Sequence, residues 1–255
     1  MKKIIIPIIA IIAAVGLMSC EKNIQRELET VSIDGKAFVK INYAMAFTVN
    51  SNAQLKINGT RVSTTLTFPY PFPGGGLNTG GSSNPDYLAL DPKQIDLVVS
   101  RPKAGSSEDS VVLFSKSFAS NAIFFGSNYT IHLTDTGANA TGVVVTDNIT
   151  LPDSGYSRFK FVNLLPNQTA LDLYNGTVKV ASNIAYKGTS PEFTIQVTGT
   201  SAAWAIRPAG AASTTTALAT YSMTVPNQRS MTVFASGYSG AASPRNARVS
   251  LLYNR

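Results

Sequence analysis

The chain has 255 residues, 21 basic and 14 acidic, with one His, one Cys and a net charge of +7. One Cys excludes an intrachain disulfide framework, and a lone His beside it excludes a structural zinc site. Charged residues make up only 14%, and the apolar segments are short, rich in Val, Ile, Phe and Tyr, and without a sustained 3.6-residue period past the N-terminus, which indicates an all-β chain.

Lys2 and Lys3 open the sequence, an apolar run follows from Ile4 to Met18, and Leu17-Met18-Ser19-Cys20 closes it. A charged start, a short apolar stretch and a small residue before the cut describe a secretory signal peptide. A membrane-spanning helix needs about 20 apolar residues, more than this run supplies. The closing tetrapeptide resembles the lipobox of bacterial lipoprotein precursors, in which the Cys sulfur is lipidated and becomes the new N-terminus. An uncleaved anchor or an ordinary secreted protein would leave the position of the single Cys unexplained. The resemblance implies lipidation at Cys20, a membrane partner through that lipid, and a place in the cell envelope, at the outer membrane on its periplasmic or surface side.

Residues 20–36 are polar and charge-rich and read as a tether. Blocks 37–150 and 156–255 follow, separated by Pro152-Asp153-Ser154-Gly155, a strong turn sequence. The blocks share short anchors in the same order. Phe38-Val39-Lys40-Ile41-Asn42 aligns with Phe159-Lys160-Phe161-Val162-Asn163, and Ala53 to Gly59 with Ala170 to Gly176. Pro85-Asp86-Tyr87 aligns with Pro191-Glu192-Phe193, Arg101-Pro102 with Arg207-Pro208, and Tyr129-Thr130-Ile131 with Met231-Thr232-Val233. A repeat of this kind implies two tandem domains. Residues 37–155 carry 7 basic and 8 acidic side chains, whereas 156–255 carry 9 and 2. That asymmetry points to an anionic contact such as lipid headgroups, lipopolysaccharide or acidic glycans, or to a surface kept soluble by charge. The cations are spread singly with no aromatic stacking motif, which argues against nucleic acid.

Each block reads as about seven short strands, the pattern of an immunoglobulin-like or transthyretin-like β-sandwich. Asn58-Gly59 and Asn175-Gly176 mark hairpins. The Val-Asn strand end, Leu171-Asp172-Leu173-Tyr174-Asn175-Gly176, the Ile184-Ala185-Tyr186 strand and Arg207-Pro208-Ala209-Gly210 resemble the tandem bacterial envelope repeats called domain of unknown function 4397. The first block resembles a diverged copy, with an insertion around Pro69 to Gly81. The resemblance implies an exported β-sandwich and no catalytic residue.

The remaining motifs offer little chemistry. Alternation in Tyr129-Thr130-Ile131-His132-Leu133 places His132 toward solvent, and no Gly-x-Ser-x-Gly elbow supplies a nucleophile for it. Asp135-Thr136-Gly137 resembles an aspartic-protease loop, but the second block has Ala235-Ser236-Gly237 in its place, so no second carboxylate is offered. Lys40, Asp96, Asp172 and Glu192 fall on strands without pairing as glycosidase carboxylates. Gly74-Gly75-Gly76 lacks the Lys of a phosphate loop. No cofactor or metal is expected. Trp204 alternates with Ile206 and reads as core. Phe68-Pro69-Tyr70-Pro71-Phe72-Pro73 sets Tyr70 and Phe72 either to stack on a ligand or to plug the end of their own sandwich. Asp109-Ser110-Val111 resembles a short O-glycosylation signal of Bacteroidetes envelope proteins, which marks Ser110. The expected function is a non-enzymatic binding or scaffold module for a glycan or an envelope protein. The alternatives are a fimbrial, pilus-like subunit and, with least support, a hydrolase.

Overall fold

The computed structural model describes residues 34–49, 52–69, 74–77 and 81–255, so Cys20, Tyr70 and Phe72 lie outside the described residues. Asp34–Arg255 forms one compact unit. Among the described residues the regular structure is β, apart from two 3-10 turns at Ser120–Ala122 and Gly137–Asn139.

The first eight strands are β1 (Ala37–Tyr43), β2 (Gln54–Ile57), β3 (Thr60–Arg61), β4 (Leu88–Leu90), β5 (Ile95–Pro102), β6 (Asp109–Phe118), β7 (Asn128–Thr134) and β8 (Thr141–Asp147). The next eight are β9 (Tyr156–Asn163), β10 (Ala170–Asn175), β11 (Val178–Ala185), β12 (Phe193–Gln196), β13 (Ser201–Pro208), β14 (Ala219–Thr224), β15 (Ser230–Ser236) and β16 (Arg248–Tyr253). They form sheets β4-β1-β7-β8 and β3-β2-β5-β6, then β12-β9-β15-β16 and β11-β10-β13-β14. Adding eight to each strand number converts the first pair of sheets into the second. Each sandwich therefore has eight strands rather than about seven. Lettered A to H, the sheets are DAGH and CBEF, with A and G parallel. That is the transthyretin-like of the two patterns, and it differs from the ABED/CFG of immunoglobulin constant domains.

Alternation builds the two cores. Val39, Ile41, Leu55, Leu97, Val99 and Ile131 fill the first. Trp204, fully buried, centres the second, with the Phe159 ring 4.8 Å away. Asn58 and Gly59 both take left-handed φ (49° and 80°) and close the β2–β3 hairpin, as a two-residue primed turn requires. In the second hairpin Asn175 pairs with Val178, so the turn is Gly176-Thr177 and only Gly176 is left-handed.

Equivalent residues follow from strand register. Left-handed residues end β7 and β15 at Asp135 and Gly237, which equates Tyr129 with Met231 and His132 with Phe234. Val39 pairs with Tyr129 and Phe159 with Met231, so Val39 is the counterpart of Phe159 and Lys40 of Lys160. The sequence alignment Phe38-to-Phe159 is thus one residue out. Three more anchors slip in the same way, so that Tyr87, not Asp86, sits where Glu192 does, whereas Tyr129-Thr130-Ile131 and Met231-Thr232-Val233 are in register. Matching letters missed the register because a one-residue slip exchanges the two faces of a strand.

The two sandwiches stack through equivalent sheets, β4-β1-β7-β8 against β12-β9-β15-β16. Ala44, Val145, Val162, Leu164, Phe234 and Leu252 form an apolar patch between them. Around it lie buried polar groups. Lys40 Nζ reaches Tyr253 O (2.5 Å) and Asn254 Oδ1 (2.8 Å), while its counterpart Lys160 Nζ reaches Thr146 O (2.5 Å), the counterpart of Tyr253 O. The His132 and Phe234 rings meet at 6.4 Å. Paired contacts between counterpart positions give the unit an approximate internal two-fold, so one chain imitates a symmetric dimer.

This stacking corrects the expectation for His132, which is fully buried. Its strand lies between its own core and the other sandwich, and both faces of β7 are covered from Tyr129 to Thr134. Asn42 Nδ2 lies 2.9 Å from His132 Nδ1. The glycine run is also structural. Gly74 N donates to Leu251 O (3.2 Å), and Tyr253 N donates to Gly74 O (2.8 Å), laying the insertion's backbone along β16. Gly74 to Leu77 are buried.

Candidate functional site

Both sandwiches run in the same direction. The end where β1 begins is called the base here, and the end where β5 finishes the apex. A cleft of about 730 Å³ opens at the apex of the first sandwich. Arg61, Thr65, Arg101, Lys103, Ser106 and Ser110 are among its lining residues.

Strand irregularity builds this cleft. Along β5 and β6, Ser100 pairs with Val112, Arg101 with Val111, and Pro102 with Asp109. Ser110 is therefore the extra residue of a bulge, a feature that bends an edge strand and re-aims side chains. Ser110 is exposed, and its hydroxyl donates to Arg101 O at 3.1 Å. The beginning of β6 is anchored by Asp109, which accepts from Lys56 Nζ (2.8 Å), Ser100 Oγ (2.5 Å) and Gln54 Nε2 (2.9 Å). Chiefly through the Lys56 hydrogen bond, these contacts hold the Asp109 carboxyl down at about 2.

Arg61 is braced rather than neutralised: its Nε donates to Ser63 O (2.8 Å) and an Nη to Thr65 Oγ1 (3.2 Å). Arg101 Nε is buried without a hydrogen-bond partner among the described residues. Lys103 alone has a carboxylate, Glu108, at 2.7 Å. Two guanidiniums unmatched by carboxylate among the described residues thus face a cleft lined with hydroxyls. Guanidinium forks suit carboxylate, sulfate and phosphate groups.

The sequence pointed elsewhere for cationic contact, to the second block. Several of its cations have partners there. Lys179 pairs with Asp172 (2.6 Å) and Arg158 with Glu192 (3.5 Å). Arg207 Nε donates to Thr215 O (2.7 Å) and Arg245 Nε to Ala46 O (2.9 Å). Arg207 and Arg245 each also lie over a tyrosine ring, at 4.7 Å. Burial works against ionisation of Asp172, but Lys179 and the N–H groups of Asn183 and Gly210 outweigh it and keep the carboxyl below its usual value.

Asp135 binds across the stack. It accepts from Tyr238 OH (2.7 Å) and lies 3.4 Å from Tyr186 OH, and burial pushes the Tyr186 phenol up to about 12. No second carboxylate approaches it among the described residues, and its counterpart is Gly237. Near the base, Lys40 is fully buried and drawn down to about 8, with desolvation outweighing the attraction of Asp147 and Asp86. Asp147 Oδ2 accepts from Tyr87 OH (2.9 Å) and Thr130 Oγ1 (2.5 Å), with Lys40 Nζ at 4.0 Å. Next to the aromatic segment of residues 70–72, Phe68 is 4% exposed.

No family model and no curated protein matches the chain. Among solved structures, it is similar to a family 41 carbohydrate-binding module from streptococcal virulence factors, described with alpha-glucan recognition. The match spans 84% of this chain and 96% of that one, at 11% identity and TM-score 0.27. It is also similar to a leucine-rich repeat protein from Bacteroides thetaiotaomicron VPI-5482, over 78% of this chain and 26% of that one, at 13% identity and TM-score 0.22. At these scores neither likeness bears on function.

Proposed function

We propose that the chain is a non-enzymatic, lipid-anchored envelope protein whose first sandwich binds an anionic, hydroxyl-bearing ligand, an acidic glycan, in the apex cleft. The observation that carries this reading is the convergence of Arg61 and Arg101, without carboxylate partners among the described residues, on a cleft lined by Thr65, Ser106 and Ser110. A uronate or sulfate group would take the guanidinium forks, and sugar hydroxyls would exchange hydrogen bonds with the serines and the threonine. The polar lining favours hydrogen bonding over ring stacking. The anchor, through Cys20 and in a tandem envelope repeat resembling domain of unknown function 4397, is supported by the signal sequence and by the position of the only thiol.

A glycan array probed with residues 21–255 is expected to retain uronic-acid or sulfated glycans and not their neutral counterparts. A charge-assisted hydrogen bond is worth about 1.5–3 kcal/mol, so Arg61→Ala and Arg101→Ala should each weaken binding by about tenfold or more, without changing the unfolding midpoint by more than a surface substitution does. Retention of neutral glycans alone, or variants that bind as the parent does, would contradict the reading. The anchor is tested separately: metabolic labelling with a radioactive fatty acid should mark the chain, and Cys20→Ser should abolish the label.

A further inference from the structure

Three side chains meet at the base of the stack with no part in the apex cleft. Lys40 is 0% exposed, Asn254 2% and Asp147 5%. Lys40 Nζ lies 2.8 Å from Asn254 Oδ1, one bond from the amide carbon, and 4.0 Å from Asp147 Oδ2. Asn254 Nδ2 donates to Thr232 Oγ1 at 3.0 Å, which fixes the amide with its oxygen toward the amine. The Tyr87 ring covers Lys40 at 4.6 Å. Asp147 Oδ1 is buried and has no hydrogen-bond partner among the described residues, so one carboxylate oxygen is left to carry a proton.

We propose that Lys40 and Asn254 condense into an isopeptide bond, with Asp147 as the proton carrier, tying the first strand of one sandwich to the end of the other. The step balances without any co-reactant. Asp147 takes a proton from the Lys40 ammonium, and the neutral amine attacks Asn254 Cγ to form the new C–N bond. A proton passes from Asp147 to Nδ2 as the old C–N bond breaks, and ammonia leaves. The second proton of the attacking nitrogen goes to Asp147, which ends as a neutral acid. An ammonium and a carboxylate held out of water become an amide and a carboxyl, which removes the desolvation cost of both charges. Burial also lowers the Lys40 pKa to about 8, which eases release of the ammonium proton that a lysine nucleophile must lose, and the 2.8 Å contact holds the nitrogen against the amide.

The test is the mass of residues 21–255 and of its tryptic peptides. The intact chain is expected to be lighter than its sequence by one ammonia. Trypsin should release a branched peptide joining residues 37–56 to 249–255, uncut after Lys40. Lys40→Met, Asn254→Ala and Asp147→Ala should each restore the full mass. An intact mass equal to that of the sequence, with free 249–255 peptide, would overturn the proposal, as would an ammonia deficit that persists in Lys40→Met. The wild-type mass and peptide map decide even if a variant fails to fold.

Discussion

Acidification from pH 6.5 to 3 is expected to cost this fold roughly 5 kcal/mol through His132 alone. Burial, then the nearby Lys40 and Lys160 charges, lower its pKa from 6.5 to about 3. In that window the unfolded chain binds a proton that the folded chain refuses, so stability falls as pH falls, at about 1.4 kcal/mol per unit. Below about pH 5 the loss merges with that of carboxylates such as Asp109, whose folded pKa is also depressed. The interval from 6.5 to 5 therefore belongs to the histidine. The counterparts of Asn42 and His132 in the second sandwich are Val162 and Phe234, which offer a matched replacement. Asn42→Val with His132→Phe removes two buried polar atoms that lack partners, Asn42 Oδ1 and His132 Nε2. Replacing both members of a buried polar pair by apolar groups is near neutral or stabilising. Urea unfolding between pH 7 and 5 should show a falling free energy for the parent and a flat one for the double variant. A flat parent curve, or the same slope in both proteins, would show that His132 is not held neutral.

Gly75→Ala is expected to cost about 3 kcal/mol or more, the upper end for forcing volume into a packed region. A Cβ at Gly75 would sit 1.6 Å from Asn84 O and 2.3 Å from Asn84 C, both backbone atoms that cannot swing away. The contrast is Gly199→Ala, where nothing lies within 4 Å and only the left-handed φ of 74° is strained. That substitution should cost about 1–2 kcal/mol. Thermal or urea unfolding of the two variants should rank them in this order. Equal losses would mean that the insertion backbone does not pass as closely as the structure places it.

The tandem β repeat was legible in the sequence, one strand short in each copy, because alternation and turn residues are local signals. Asn58-Gly59 and the Trp204–Ile206 alternation needed no tertiary information. The fate of His132 was illegible because alternation reports only that one face of a strand differs from the other. It cannot tell that a second sandwich covers the polar face, and Lys40, Asn42, Thr130 and Thr134 carry no apolar mark of burial. The cleft was missed for a related reason. Arg61 lies on a two-residue strand and Arg101 is the seventh residue of β5, and the Ser110 bulge and the β2–β3 hairpin bring them to one opening. Arg101-Pro102 drew notice as a repeat anchor, yet its structural counterpart begins at Pro208. Counting charge by block drew attention to the second sandwich, where several cations are engaged by carbonyls, rings and carboxylates.

Binding at the apex cleft is tested most directly by titrating an acidic oligosaccharide into the parent chain and into Arg61→Ala/Arg101→Ala, at low and high salt. The parent should bind, weaken as salt screens the guanidiniums, and exceed the double variant by about a hundredfold if each arginine contributes one tenfold step. Equal affinity for parent and double variant, at either salt, would place the ligand elsewhere and contradict the assignment of the cleft.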